Sequence, residues 1–216
     1  MALVKYNDRS LRNLTTTPAA VTGNSPGALV HIKTLTASSS ATLSFVDGAS
    51  SVVLDNTYPI YKFEFINIHP SADKPEFQIQ FNAAGGSGFN ETITSTSFLA
   101  LHYEDASAAQ VAYETAHDLA QATSGQNLVA NLSNDNDSSV TGELTLFNPS
   151  STTFVKHFMG KTNGMEHDSG QSKKISVSYQ MAGYINTTSA IDEVQFKFNS
   201  GNIDSGTIKL YGIKDA

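Results

Sequence analysis

The sequence predicts an all-β protein: an antiparallel, jelly-roll-like β-sandwich with one short helical or loop insertion and an extended N-terminal arm. Three observations lead there. Apolar side chains alternate with polar ones over most of the chain, which is the period of a strand with one buried and one wet face. Turn-forming residues separate these runs at short intervals, the spacing of a sandwich or barrel. Only 15% of the 216 residues are charged and 39% hydrophobic. The difference is filled by Ser, Thr and Asn, whose short polar side chains compete with helical backbone hydrogen bonds.

Residues 1–27 read as the arm, because Thr15-Thr16-Thr17-Pro18 and Gly23-Asn24-Ser25-Pro26-Gly27 break any regular pattern. Residues 28–216 read as one sandwich domain, long enough to bury a core without cross-links. Its strands announce themselves as Leu43 and Phe45, Phe63 and Phe65, then Phe77, Ile79 and Phe81. Leu144 and Leu146 follow, then Phe154 and Phe158 on either side of a Lys156 expected to face solvent. Ile175, Val177 and Tyr179, then Val194, Phe196 and Phe198, and finally Ile208 and Leu210 complete the set. Turns are predicted at Asp47-Gly48, 84–88, 134–137, Asn148-Pro149 and 200–206. Residues 105–122 differ: Ala108, Val111, Ala112 and Thr115 recur at helical spacing behind a candidate cap at Asp105 or Ser107. This is the predicted helical or loop insertion. The alternation of helices that a parallel α/β sheet needs is missing.

Charge and composition narrow the function. The net charge is −7, and an acidic chain repels phosphate backbones, so nucleic acid is not an expected partner. Lys5, Arg9 and Arg12 stand against Asp8 in the first dozen residues, and Arg9 and Arg12 are the only arginines of the chain. The arm is therefore basic and is the expected partner-binding segment. The absence of cysteine removes disulfides, zinc–thiolate sites, iron–sulfur clusters and thiol catalysis. No apolar stretch has the length of a membrane span, and no secretory signal is legible, so assembly in a cytoplasm is expected.

Few constellations point to chemistry. The histidines at 31, 69, 102, 117, 157 and 167 show no metal-ligand spacing. Asn134-Asp135-Asn136-Asp137-Ser138 is the densest oxygen cluster, which makes Asp135 and Asp137 calcium candidates. Counted from Asp135, Val140 and Leu146 stand where an EF-hand loop has Gly and Glu, and the cluster also reads as an Asx-rich turn. The glycines at 85–88 lack the Lys-Ser/Thr of a phosphate-binding loop. There is no G-x-S-x-G elbow. Glu64, Glu76, Glu104, Glu143 and Glu193 are too scattered to read as a hydrolytic pair. Neither an enzyme nor a cofactor is expected. Tyr103, Tyr113 and Tyr184 are the candidate sugar-stacking residues, with loops 84–90, 133–139 and 160–172 beside them.

Three long phrases carry a family resemblance. Phe63-Glu64-Phe65-Ile66-Asn67-Ile68-His69-Pro70 is one. The stretch from Leu146 through Asn148-Pro149-Ser150-Ser151 to Phe158 is the second. The third runs from Tyr184-Ile185-Asn186-Thr187-Thr188 through Ser200-Gly201-Asn202-Ile203-Asp204-Ser205-Gly206 to Ile213. Together they resemble virion proteins of marine tailed phages, including those that infect cyanobacteria. The resemblance covers roughly residues 55–213. It implies a jelly-roll-like structural protein of the virion and brings no catalytic residues with it. The expected role is a non-enzymatic capsid decoration (cement) or tail or fibre component. It would be assembled in the host cytoplasm, docked on other phage structural proteins by its arm, and trimeric. The alternative is an adhesin module binding host-surface glycan. Neither role calls for a membrane.

Overall fold

The computed structural model describes residues 29–167 and 174–214. The described residues form twelve strands and no helix. One sheet has eight, in the order β1 (Leu29–Thr36), β12 (Ile203–Ile213), β3 (Ile60–Pro70), β8 (Val140–Phe147), β9 (Lys156–His167), β10 (Lys174–Ile185), β5 (Ile93–Tyr103) and β6 (Ala109–Tyr113). The other has four: β2 (Leu43–Val46), β11 (Ile191–Phe198), β4 (Phe77–Ala83) and β7 (Gln126–Val129). Neighbouring strands are antiparallel throughout.

The order is that of a jelly roll. With the hairpins β5–β6 and β9–β10 set aside, the remaining eight strands renumbered along the chain read 1-8-3-6 in one sheet and 2-7-4-5 in the other. That is two interleaved Greek keys. The two hairpins pair with each other through β10 and β5 and widen the first sheet by four strands.

The alternating residues build the core between the sheets. Phe63, Phe65, Phe77, Phe81, Phe196, Ile208 and Leu210 are all essentially inaccessible. Phe196 sits at the centre of an aromatic cluster, with ring centroids 5.2 Å from Phe65, 5.3 Å from Phe63, 6.0 Å from Phe77 and 6.2 Å from Phe45. Edge-on contacts dominate, as the ring quadrupole favours.

Four expectations are corrected. The alanine-rich stretch is not helical: Ala109–Tyr113 pairs with β5 as an edge strand. Helix propensity is a weak preference, and a sheet edge beside it overrides it. Lys156 faces inward beside Phe158, fully buried, while Phe154 lies exposed in the preceding loop. Residues 160–167, expected to be loop, belong to β9; the rest of that expected loop, 168–172, lies outside the described residues. The turn expected over 200–206 closes by Asn202, and Ile203 already begins β12.

Candidate functional site

Because every pairing is antiparallel, the connections divide between two ends of the sandwich. One end carries the β1–β2, β3–β4, β7–β8 and β11–β12 connections. The other carries the β2–β3, β4–β5, β8–β9 and β10–β11 connections, the start of β1 and the close of β12.

The first end has the more elaborate backbone. The register of β12 on β3 shifts twice between Ile203 and Thr207, and that of β3 on β8 shifts between Phe65 and Ile68. Asn67 there has φ of 51° and Gly206 has φ of 114°. Bulges of this kind re-aim side chains. Asn67, His69, Asp137 and Ser205 converge on a polar cleft of ≈290 Å³. His69 Nδ1 lies 2.7 Å from the Ser138 carbonyl oxygen, and Nδ1–H donates to it, since a carbonyl oxygen can only accept. The cleft presents both donors and acceptors. Gly206 is what lets the two bulges meet, since a Cβ there would lie 2.5 Å from the Asn67 carbonyl oxygen. Gly206→Ala is accordingly expected to cost on the order of 2 kcal/mol or more through backbone strain. A urea melt indistinguishable from the parent would contradict this.

Asp135 and Asp137, the calcium candidates, face an ammonium group instead. Lys174 Nζ is 2.8 Å from Asp135 Oδ2 and 3.5 Å from Asp137 Oδ1. The hydrogen bond to Asp135 holds the lysine above its ordinary range. Among the described residues, no three acidic or histidine side chains gather around a common point that suits a metal ion.

The outer face of the eight-stranded sheet brings Glu64 and Glu143 directly opposite each other on β3 and β8. Paired carboxylates are the equipment of glycoside hydrolysis. Here, however, Lys62 Nζ sits 2.6 Å from Glu143 Oε2 and 3.5 Å from Glu64 Oε1. The ammonium relieves the repulsion of like charges across the strands, and the trio reads as a solvated ion cluster of small energetic weight. The two glutamates lie 79 positions apart in the chain, so only the strand register reveals them as neighbours.

A second hidden group lies inside. Glu166 on β9 is buried and accepts a hydrogen bond of 2.7 Å from the Tyr179 hydroxyl on β10. The His117 ring packs against Tyr179 with centroids 5.4 Å apart. Burial pushes the Glu166 carboxyl up to about 7, against the lowering effect of the Tyr179 hydrogen bond. Burial pushes His117 down, against the Glu114 and Glu76 carboxylates. His117 Nδ1, Gln126 Oε1 and Ser97 Oγ are buried without a hydrogen-bond partner.

At the opposite end, Lys156 ties two loops together. Its Nζ donates to the carbonyl oxygens of Thr187, at 3.1 Å, and of Ser189. The Ile191 amide donates to the Pro149 carbonyl at 2.8 Å. The segments around Asn148-Pro149 and Asn186-Thr187 are thereby neighbours in space.

The candidate sugar-stacking tyrosines do not come together. Tyr103 ends β5 near the polar cleft's end of the sandwich, whereas Tyr113 ends β6 and Tyr184 lies near the end of β10, both at the opposite end. The Tyr113 hydroxyl donates to Asp118 at 2.6 Å, and Tyr184 packs on His157 at 5.9 Å. Lys5, Arg9 and Arg12 lie outside the described residues. Comparison with protein-family models, with curated proteins and with solved structures yields no match to this chain.

Proposed function

We propose that the protein is a non-enzymatic structural component of a tailed-phage virion, a capsid decoration or a tail or fibre element, attached through residues 1–27. The strand order supports this reading most: jelly rolls of this design serve repeatedly as viral capsid and lectin domains. The support is one of fold analogy joined to the sequence resemblance. The placement of β1 fits it as well. β1 is an edge strand that starts at the end of the sandwich opposite the bulged one, so attachment through the segment before it would leave the bulged end free to project. Deleting residues 1–27 is expected to abolish co-purification with the phage's capsid and tail proteins while the body keeps its thermal transition. A truncated body that still decorates particles would refute attachment by the arm.

One observation favours a second reading, a glycan-binding adhesin. The polar cleft of Asn67, His69, Asp137 and Ser205 lies at the end opposite the start of β1 and offers hydrogen-bonding groups suited to sugar hydroxyls. A glycan array probed with the parent and with an Asp137→Ala variant decides it: signal lost in the variant supports the adhesin, and no signal in either removes it.

A further inference from the structure

We infer that β6 is a self-association edge, pairing antiparallel with β6 of a second copy about a twofold axis at Val111. An open strand edge offers unpaired N–H and C=O groups to any passing strand, and proteins normally guard it with charge, proline, a bulge, brevity or a cover. The other three edges among the described residues are guarded. β1 carries Lys33 and a bulge between His31 and Lys33. β2 is four residues long. β7 is four residues long and buried throughout. β6 is short as well, at five residues, but among the described residues it has no other of these devices: Ala109-Gln110-Val111-Ala112-Tyr113 contains no charge, no proline and no register shift against β5.

The hydrogen-bond phase selects the occupant. The Glu114 amide donates to the Ser97 carbonyl and the Tyr103 amide to the Ala108 carbonyl. In an antiparallel ladder the bonded and non-bonded pairs alternate, so Gln110 and Ala112, which lie in phase between Ala108 and Glu114, also bond to β5. The N–H and C=O groups of Ala109, Val111 and Tyr113 therefore point to the open side. A second β6 placed about Val111 sets Val111 against its own counterpart and Ala109 against Tyr113 of the other copy. All three are then bonding pairs. A small side chain meets a large one at each end, and β-branched meets β-branched at the centre, the pairings that stabilise sheets.

The outward side chains agree with this. Val111 is 77% exposed, Tyr113 53%, and Phe98, the cross-strand neighbour of Tyr113, 43%. Apolar groups gathered this way on a soluble surface mark an interaction site. Net charge opposes contact between copies of an acidic chain over most of the surface. Residues 106–113 are a run free of charge, with Glu104 and Asp105 before it and Glu114 after it. The contact area of five residues is small, so the dissociation constant is about 1–10 μM in solution, and the association strengthens where copies are concentrated on one particle. Pairing through β6 does not depend on the virion reading and survives its failure.

The test uses the full chain and its mass by light scattering over a concentration series reaching on the order of 100 μM. The parent is expected to double in mass. Val111→Lys and Val111→Glu are each expected to weaken the dimer by about tenfold or more through like charges at the axis. Their equimolar mixture is expected to regain it, since only a contact of residue 111 with itself brings the opposite charges together. Thermal melts check that both variants stay folded, as a 77% exposed edge position allows. A parent that stays monomeric across the series overturns the inference. So does a mixture that associates no better than its components, the result expected if another segment, such as residues 1–28, covers β6.

Discussion

Phe196→Ala is expected to lower stability by about 3–5 kcal/mol, the range for removing a large aromatic from a close-packed core. The loss exceeds simple transfer because Phe196 makes edge-on or stacked contact with four other phenylalanines, and its removal strips each of a partner. These rings come from β2, β3, β4 and β11, hence from both sheets, so the cavity lies on the seam that holds the sandwich shut. For a chain of this size the melting temperature should fall by roughly 10 °C. Phe154→Ala is the control. That ring is 70% exposed, and its truncation is expected to change stability by no more than about 0.5 kcal/mol. Comparable losses for the two phenylalanines would mean that the core is not where the fold places it.

The second large effect depends on pH. Glu166 titrates near 7 in the folded chain against an ordinary value of 4.5, so below pH 4.5 both states hold the proton and the folded chain bears no penalty. Between 4.5 and 7 the unfolded chain releases it and the folded chain does not, and stability falls as pH rises. The total is about 3 kcal/mol, reached above pH 7. Glu166→Gln keeps an acceptor for the Tyr179 hydroxyl and removes the titration. The stability of the parent relative to this variant is therefore expected to fall by about 2–3 kcal/mol between pH 5 and pH 8 in urea melts. A difference that stays flat would show that the carboxyl is solvated. His117 acts in the opposite sense: its folded value lies below 6.5, so stability is lost as pH falls through 6.5. The variant comparison isolates Glu166, because His117 and the neighbouring Glu114 carboxylate are common to both proteins.

The fold is legible in the sequence wherever one face of a strand is fully apolar. Phe77, Ile79 and Phe81 can hardly be read otherwise, and the spacing of such runs leads directly to a two-sheet sandwich. β9 is not legible. Its inward positions include Gly160 and Gly164, whose missing side chains admit Met181, and Val129 with Leu132, so no apolar alternation marks it. Lys156 misleads because its charge suggests the wet face although a period of two sets it on the same face as Phe158, and two loop carbonyls 31 and 33 residues away make that buried face hospitable. β6 misleads because alanine spacing carries little information once a neighbouring strand supplies the hydrogen bonds. The Lys62–Glu64–Glu143 cluster and the Glu166–Tyr179–His117 group are products of register between distant strands, and no local pattern contains them.

The pairing of the first strands with the last has a consequence for the nascent chain. β1 lies against β12 and β2 against β11, so the first two strands of the sandwich find their neighbours only after its last two have been made. About 150 residues separate Leu43 from its partner Phe196, which at about 5–20 residues per second is a wait of roughly 10–30 s. Throughout it Phe45, later sealed in the core, has no sheet to join. The ribosome thus hands over a chain whose two Greek keys close almost simultaneously, and a ribosome that stalls short of Ile191 leaves an open half-sandwich for chaperones to shield.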